Sequence, residues 1–142
     1  MTNTNENRTI IAFVCVQNAG RSQMATALAE QEIRNQDPSS EVVILSGGTH
    51  PADAPHPEVV EAMADIGIDI SDAQPKSISD KTLETADIVI TMGCSTLSLD
   101  GVKTRDWDLP NPAGADPAEV RAIRDEIQRL VRNLIEEFSH RE

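Results

Sequence analysis

Three short segments of continuous apolar, mostly β-branched residues constrain the fold most strongly. They cover residues 9–16 (TIIAFVCV), 41–46 (EVVILS) and 87–92 (DIVITM). A run of this kind is typical of a strand that is buried on both faces of a parallel sheet. Alternation of such strands with helices indicates an α/β fold, a three-layer sandwich with a small parallel sheet of about four strands flanked by helices. Apolar residues at helical spacing predict the main helices, at residues 21–36, 58–66 and 117–138, with a short helix at 79–85 and a short edge strand at 104–106.

The charge balance limits the partners of this chain. Lys and Arg total 12 and Asp and Glu total 24 among 142 residues, so the formal net charge is −12. This excess disfavours nucleic acid and an anionic membrane as general partners, although a local group of backbone N–H donors can still bind a small anion. No apolar run approaches the roughly 20 residues of a membrane span, and we expect a cytoplasmic protein. We expect residues 1–8 to form a flexible N-terminus and residues 9–142 to form a single domain.

The two cysteines, Cys15 and Cys94, are too few for the disulfide scaffold of a small secreted domain. Neither has the spacing of a metal site, so we expect no bound metal or cofactor. Cys15, Ser46 and Cys94 all fall at or just after the ends of predicted strands. Because ligands of parallel α/β sheets bind at the carboxyl ends of the strands, we expect these residues to meet at one crevice.

The turn after the first strand carries a motif suited to nucleophilic chemistry. It reads CVQNAGRS, in which five residues separate Cys15 from Arg21. Asn18 and Gly20 tolerate left-handed backbone, so the turn can direct successive N–H groups at an anion near the positive end of the helix dipole. Arg21 can add a bidentate contact to a tetrahedral oxyanion, and Ser22 can donate to the sulfur of a Cys15 thiolate poised for covalent catalysis. The predicted oxyanion-binding residues are Val16, Gln17, Asn18, Ala19, Gly20 and Arg21.

The segment FVCVQNAGRSQMA resembles the phosphate-binding loop of the low-molecular-weight protein tyrosine phosphatase superfamily. Within that superfamily, the segment is most similar to the thiol-dependent arsenate reductases, which are built on the same fold. Further similarities cover nearly the whole chain in the same order, namely LSGGTHP, DIVITMGC, RDWDLPNPAG and RAIRDEI. The resemblance implies a single domain of this type over residues 9–142.

The resemblance also implies roles for individual residues. Cys15 would be the nucleophile that attacks arsenic or phosphorus, and the loop amides with the Arg21 side chain would hold the oxyanion. Asn18 would brace the loop, and Ser22 would stabilise the thiolate. Ser46 matches a serine that ties the loop to the second strand.

Cys94 matches the position where these reductases keep a redox cysteine. There it would attack the arsenylated Cys15, release arsenite and leave a Cys15–Cys94 disulfide. An external thiol would then reopen that disulfide by exchange. The stretch CSTLSL holds no further cysteine, so two routes stay open: a thioredoxin- or glutaredoxin-like protein reduces the disulfide, or a small thiol resolves the adduct directly.

Asn111 is a departure from the family pattern. The family's general acid is usually an Asp just before the Pro of the Pro-Ala-Gly stretch, and an asparagine amide cannot replace a carboxylic acid as proton donor. Asp108 and Asp116 are nearby candidates, although solvated loop charges are the more ordinary interpretation of both. The change should slow hydrolysis of a phosphate ester more than arsenate chemistry, because hydroxide on arsenic exchanges readily.

The aromatic content bears on the substrate. The chain has no Tyr, and its aromatic residues are Phe13, Trp107 and Phe138. Such sparse aromatics favour a small inorganic oxyanion over a phosphotyrosine, and we expect Trp107 to pack the long loop down. His50 and His56 flank the Pro-rich loop after the second strand and are expected at the surface, with a position at the rim of the anion site as the alternative.

Three functions therefore compete. The leading one is an arsenate reductase that works through a Cys15 adduct resolved by Cys94, by an external thiol or by both. The alternative is a low-molecular-weight phosphatase, for phosphotyrosine or a small phosphomonoester, that forms a cysteinyl-phosphate intermediate. The third is a non-catalytic oxyanion-binding or redox-sensing protein, which Asn111 would suit.

Overall fold

The computed structural model describes residues 9–36, 42–92 and 101–139, which form a four-stranded parallel sheet flanked by helices. The predicted α/β class is confirmed. In these ranges no helix is both long and apolar enough to cross a membrane. The sheet has the order β2-β1-β3-β4. In chain order the elements are β1 (Thr9–Cys15), α1 (Arg21–Gln36), β2 (Val42–Gly48), α2 (Pro57–Ala64), α3 (Asp80–Leu83), β3 (Ile88–Thr91), β4 (Thr104–Asp106) and α4 (Pro117–Ser139).

Strand β1 is the centre of the sheet, because it pairs with β2 on one side and with β3 on the other. Its alternate side chains pack on opposite faces. Ile11 and Phe13 belong to the larger core cluster with residues of α1, α2 and α4, whereas Ala12 and Val14 belong to a smaller cluster beside α3. Both faces are thus covered, as the continuous apolar sequence of this strand predicts.

The predicted elements lie within two residues of their observed bounds, and the difference at β2 is the informative one. It continues past Ser46 to Gly48, because Val14 pairs with Gly47 and Cys15 pairs with Gly48. Ser46 therefore lies inside a strand rather than at its end. A Cβ on Gly47 would approach the Cβ of Ile78 to 2.5 Å, so only a glycine fits there.

The helix ends follow local signals. Ser79 caps α3, since its hydroxyl accepts a hydrogen bond from the Thr82 N–H at 3.1 Å. Helix α2 ends at Ala64, two residues before the predicted end, and Gly67 follows with a φ of +84°. This left-handed glycine ends the helix as predicted.

Helix α4 is held to the rest of the domain by its apolar face and by one buried cation. Val120, Ile127 and Leu134 are fully or almost fully buried. Arg124 is also buried, and its Nη1 donates to the carbonyl oxygen of Ala62 at 2.7 Å. This bond connects α4 to α2.

Leu134 and Leu130 form a matched pair for testing the core, since they lie about one turn apart on α4 and only Leu134 is fully buried. We expect Leu134→Ala to reduce the free energy of unfolding by about 2–5 kcal/mol through lost burial and a residual cavity. Leu130→Ala should cost clearly less, because Leu130 is only partly buried. Urea unfolding followed by circular dichroism measures both. Equal losses would contradict the observed packing of this helix.

Candidate active site

The candidate site is built on the loop that joins β1 to α1. Cys15 is the last residue of β1 and is 3% exposed, and Arg21 is the first residue of α1. Between them, Asn18 adopts a φ of +51°, the left-handed conformation that the sequence predicted for this turn. The loop therefore lies at the N-terminus of a 16-residue helix, where the helix dipole and free backbone N–H groups favour an anion.

A short chain of hydrogen bonds reaches the sulfur of Cys15. Cys15 Sγ lies 2.9 Å from Ser22 Oγ, and Asn18 Nδ2 donates to the same Ser22 oxygen at 2.7 Å. An amide NH₂ group can only donate, so the Ser22 hydroxyl hydrogen remains free to point at the sulfur. This arrangement supports a Cys15 thiolate, because a charged acceptor strengthens the hydrogen bond that it receives.

Asn18 is fully buried and connects the loop to two other segments. Its Oδ1 accepts from the Lys76 N–H at 3.0 Å and from Gln23 Nε2 at 3.2 Å. Gln23 Nε2 also donates to the Asn18 carbonyl oxygen at 2.9 Å. Gln23 and Lys76 are absent from the residues predicted for the site. The only sequence signal for Gln23 is that a polar residue lies on the first turn of α1. Nothing in the sequence indicates the contact of Asn18 with the Lys76 N–H, which is 58 residues away.

Arg21 is also buried, with 8% of its surface exposed. Its Nη1 donates to the carbonyl oxygen of Leu109 at 2.9 Å, which ties the loop to the segment after β4. The same side chain lines a cavity of about 240 Å³ at the end of β1. The cavity is lined by Cys15, Val16, Gln17, Gly20, Arg21, His56 and Asn111.

This cavity brings together most of the predicted site residues. Asn18, Ala19 and Ser22 are fully buried and do not line it. A larger depression of about 440 Å³ lies beside Gln23 and Lys76. It has no nucleophilic thiol or imidazole among its lining residues, so we take the smaller cavity as the candidate site.

Asn111 lies on the cavity wall as an exposed side chain, and its Oδ1 accepts from the Ala113 N–H at 3.0 Å. Neither carboxylate considered as a substitute acid is among the lining residues. Asp116 instead caps α4, where its Oδ1 accepts from the Glu119 N–H at 2.9 Å, and Asp108 is exposed. The described part of the cavity wall therefore presents no carboxyl group.

Trp107 packs its own long loop onto the core, as predicted. It is 7% exposed, and its ring centroid lies 5.8 Å from that of Phe13. No Phe or Trp side chain of the described residues lines the cavity.

Ser46, the residue predicted to tie the loop to the second strand, lies inside β2. Ser46 pairs with Phe13 and lines the larger depression, not the cavity. Backbone N–H groups of the segment after β2 also hold the loop: Thr49 donates to the Cys15 carbonyl oxygen at 3.2 Å, and Ala52 donates to that of Gln17 at 3.0 Å.

His56 is half-buried and lines the cavity, which corresponds to the rim position that was the alternative to a surface role. Its N–H donates to the Ala19 carbonyl oxygen at 2.9 Å, and its Cδ2 would lie 3.3 Å from a Cβ on Gly20. His50, in contrast, is exposed and does not line the cavity. A histidine before the first proline of a helix carries no signal of this contact.

Cys94 lies in residues 93–100, outside the described ranges. The strand that precedes it is described. Thr91, the last residue of β3, pairs with Val14, and the Met92 N–H donates to the Val14 carbonyl oxygen at 3.2 Å. The described end of β3 thus lies directly beside Cys15.

Gly48 packs closely against the backbone of the loop. A Cβ at this position would lie 2.5 Å from the Val16 carbonyl oxygen and 2.9 Å from the Asn18 nitrogen. We expect Gly48→Ala to cost about 1–3 kcal/mol of stability, because backbone must move. We also expect it to weaken inorganic phosphate binding roughly tenfold, since losing one charge-assisted hydrogen bond costs about 1.5 kcal/mol. Calorimetric titration with phosphate measures the affinity.

Gly67→Ala is the control for that variant. Nothing lies within 4 Å of a Cβ there, so this variant suffers only from the positive φ, a strain of about 1–2 kcal/mol. It should lose stability but keep the phosphate affinity of the unaltered protein. An unchanged affinity in Gly48→Ala would contradict the role of Gly48 in placing the loop.

Glu58 fastens the segment that carries Asn111 to the first turn of α2. Its Oε2 accepts from the Gly114 N–H at 2.6 Å, and this bond lowers the pKa of Glu58 below its ordinary 4.5. A carboxyl with a lowered folded-state pKa stabilises the protein above its ordinary pKa and loses that effect as the pH falls through the lowered value. We expect Glu58→Gln to reduce the free energy of unfolding by less than about 1 kcal/mol at pH 7, given solvent screening.

The difference from the unaltered protein should shrink between pH 5 and pH 3 in urea unfolding curves, a range set about the ordinary pKa of 4.5. Glu61→Gln, on the exposed face of the same helix, is the control and should show no such trend. A difference that grows towards acid pH would contradict the assigned bond.

Comparisons with known proteins agree with this geometry. The family model for low molecular weight phosphotyrosine protein phosphatase matches residues 10–142. A Halobacterium salinarum protein named "Putative arsenate reductase" is 52% identical over 136 residues, which cover 94% of this chain and 96% of that protein. A protein of Staphylococcus aureus named arsenate reductase is 32% identical over 132 residues, with 87% and 94% coverage.

Solved structures show the same relationship. The thioredoxin-dependent arsenate reductase of Corynebacterium glutamicum superposes with a TM-score of 0.76 at 34% identity and covers 96% of this chain and 67% of that one. An arsenate reductase in its phosphate-binding state superposes with a TM-score of 0.77 at 28% identity, with 91% and 98% coverage. The fold, the cysteine loop and these similarities together show that the chain belongs to the low molecular weight phosphotyrosine protein phosphatase family.

Proposed function

We propose that this protein is an arsenate reductase that converts arsenate to arsenite through a covalent adduct on Cys15. The observation that carries the proposal is the buried Cys15 sulfur, 2.9 Å from the Ser22 hydroxyl, at the wall of an anion-sized cavity shared with Arg21. The relatives named arsenate reductase, at 52% and 32% identity, support the choice of reaction.

The cavity supports a small inorganic anion as substrate. Its volume of about 240 Å³ is below the range of about 300–1,000 Å³ typical of pockets for drug-sized ligands. The loop amides at residues 16–20, the α1 N-terminus and Arg21 would supply the positive potential that the chain as a whole, at −12, lacks. Trp107 packs against Phe13 instead of gripping a phenyl ring.

The first step forms the adduct. The Cys15 thiolate attacks arsenic of the bound arsenate, an S–As bond forms, and an As–O bond breaks as one oxygen leaves with a proton as water. Arg21 and the loop amides hold the other oxygens and stabilise their charge. Ser22 donates to the sulfur before the attack and thereby keeps it charged.

The second step transfers the electrons. A second thiolate attacks the Cys15 sulfur, the S–S bond forms, and the electron pair of the S–As bond goes to arsenic, which leaves as arsenite. We propose Cys94 as this thiol, because it follows Met92 by two residues and the Met92 N–H is hydrogen-bonded to Val14, the neighbour of Cys15 in β1. The resulting disulfide is then reduced by an external thiol, thioredoxin-like or small. The thioredoxin-dependent structural relative supports the protein donor.

The test is arsenite formation from arsenate by the reduced protein, with thioredoxin and its reductase in one reaction and small thiols in another. Cys15→Ser should abolish turnover in both reactions, since no adduct can form. Cys94→Ser should abolish turnover with thioredoxin, because no internal disulfide is left for it to reduce. Circular dichroism of both variants is the control for folding. Hydrolysis of an aryl phosphate without any arsenite formation would assign the protein to the phosphatases instead.

A further inference from the structure

We propose that His56 is a further catalytic residue, whose imidazolium protonates the oxygen that leaves arsenic when Cys15 attacks. This inference rests on the proposed reductase function. Its basis is that His56 lines the same cavity as Cys15 and Arg21.

His56 is held in place from its backbone. Its N–H donates to the Ala19 carbonyl oxygen at 2.9 Å, and its own carbonyl oxygen accepts from Val59 and Val60 at 3.0 Å in the first turn of α2. Although it precedes the helix, its side chain makes no capping bond. The backbone of His56 is thus fixed by hydrogen bonds of both its N–H and its carbonyl group, while its ring lines the cavity next to Gly20.

The other described residues of the cavity wall cannot supply this proton. Cys15 is the nucleophile, and a guanidinium such as that of Arg21 does not give up its proton in proteins. Asn111 offers an amide, which is not an acid. Asp116 is used as the cap of α4, and Asp108 is exposed and does not line the wall. An imidazolium is a suitable donor near neutral pH.

The proton balance of the step is complete. The thiolate, a dihydrogen arsenate ion and the His56 imidazolium react to give the S–As adduct with one negative charge, a water molecule and a neutral imidazole. The leaving hydroxide takes its proton from His56 and departs as water, so it need not form as a free anion. Solvent returns the proton to His56 before the next cycle.

The ionisable groups that face His56 come from β1, α1 and α2. Cys15 and Arg21 lie across the cavity, and the Glu58 carboxylate, two residues along in α2, interacts with it electrostatically. The segment after β4 contributes only Asn111 to the wall. Because only a protonated imidazole can donate, a general-acid role of His56 requires that the rate of adduct formation decrease at alkaline pH.

The test compares His56→Gln with His50→Gln in single-turnover reactions of reduced protein with arsenate. We expect His56→Gln to slow adduct formation about 10²-fold at pH 7, the low end of the effect of a general acid. It should also remove the alkaline limb of the pH profile. Ionisation of arsenate affects the unaltered protein and His56→Gln equally. A decrease in rate at alkaline pH that is lost only in His56→Gln therefore comes from His56. His50→Gln should match the unaltered protein.

Adding Asn111→Asp to His56→Gln is the rescue. The new carboxyl would face the same cavity and should recover at least tenfold of the lost rate, since an acid on that wall can again protonate the leaving oxygen. A rate for His56→Gln within threefold of the unaltered protein would overturn the proposal. So would a loss of rate that is equal at every pH, because this would indicate only a structural role.

Hydrolysis of two aryl phosphates tests the role of His56 independently of the reductase function. If the unaltered protein forms no arsenite but hydrolyses them, the reductase function fails and His56 is still tested. His56→Gln should then slow hydrolysis of phenyl phosphate, whose poor leaving group needs a proton, and spare 2,4-dinitrophenyl phosphate. Equal effects on both esters, or no reaction of the unaltered protein with any of the three substrates, would overturn the role of His56.

Discussion

The parallel pairing of β1 with both of its neighbours is the constraint on which the site depends. It buries Ile11 to Val14 completely and ends the strand at Cys15, with Gly48 on one side and the end of β3 on the other. A thiol in this position cannot move far, because the strand that carries it is bonded along both edges. The helix that follows begins six residues later and points its N-terminus at the same place.

The loop itself is held from behind by Asn18 rather than by the ligand that it would bind. Its side chain uses both the amide nitrogen and the amide oxygen, to Ser22, Gln23 and the backbone of Lys76. Throughout the described residues, no buried side-chain nitrogen or oxygen lacks a hydrogen-bond partner. Such a satisfied network keeps the backbone N–H groups oriented in advance, which is the main requirement for stabilising an oxyanion.

The lack of a carboxyl group on the described cavity wall is the chemical feature that bears most directly on the substrate. The cavity wall combines a thiol, a guanidinium, an imidazole and two side-chain amides, with no carboxyl among its described residues. Hydrolysis of a phosphate ester depends on protonation of a poor leaving group, whereas arsenate offers a labile hydroxide. The same wall is therefore better suited to arsenate than to an aryl ester, and no Phe or Trp side chain of the described residues lines it.

Much of the fold was predictable, because the strands and helices follow from short-range patterns. The apolar run of β1, the helix from Arg21 to Gln36 and the cap at Ser79 are all recognisable in sequence and observed in the structure. The length of β2 was not, because Gly47 and Gly48 have low strand propensity and are included in the strand through their pairing with Val14 and Cys15 of β1.

The sequence by itself determined the chemistry that is available: a cysteine, a flexible turn and an arginine within seven residues, placed between a buried strand and a helix. Local backbone preferences suffice for that, because every part lies in one short segment. Only the tertiary structure decided what surrounds the sulfur. The Leu109 carbonyl that accepts from Arg21 lies 88 residues away in the sequence, and the His56 ring belongs to the residue just before α2. These contacts depend on sheet pairing and burial between distant segments, and no local pattern encodes them.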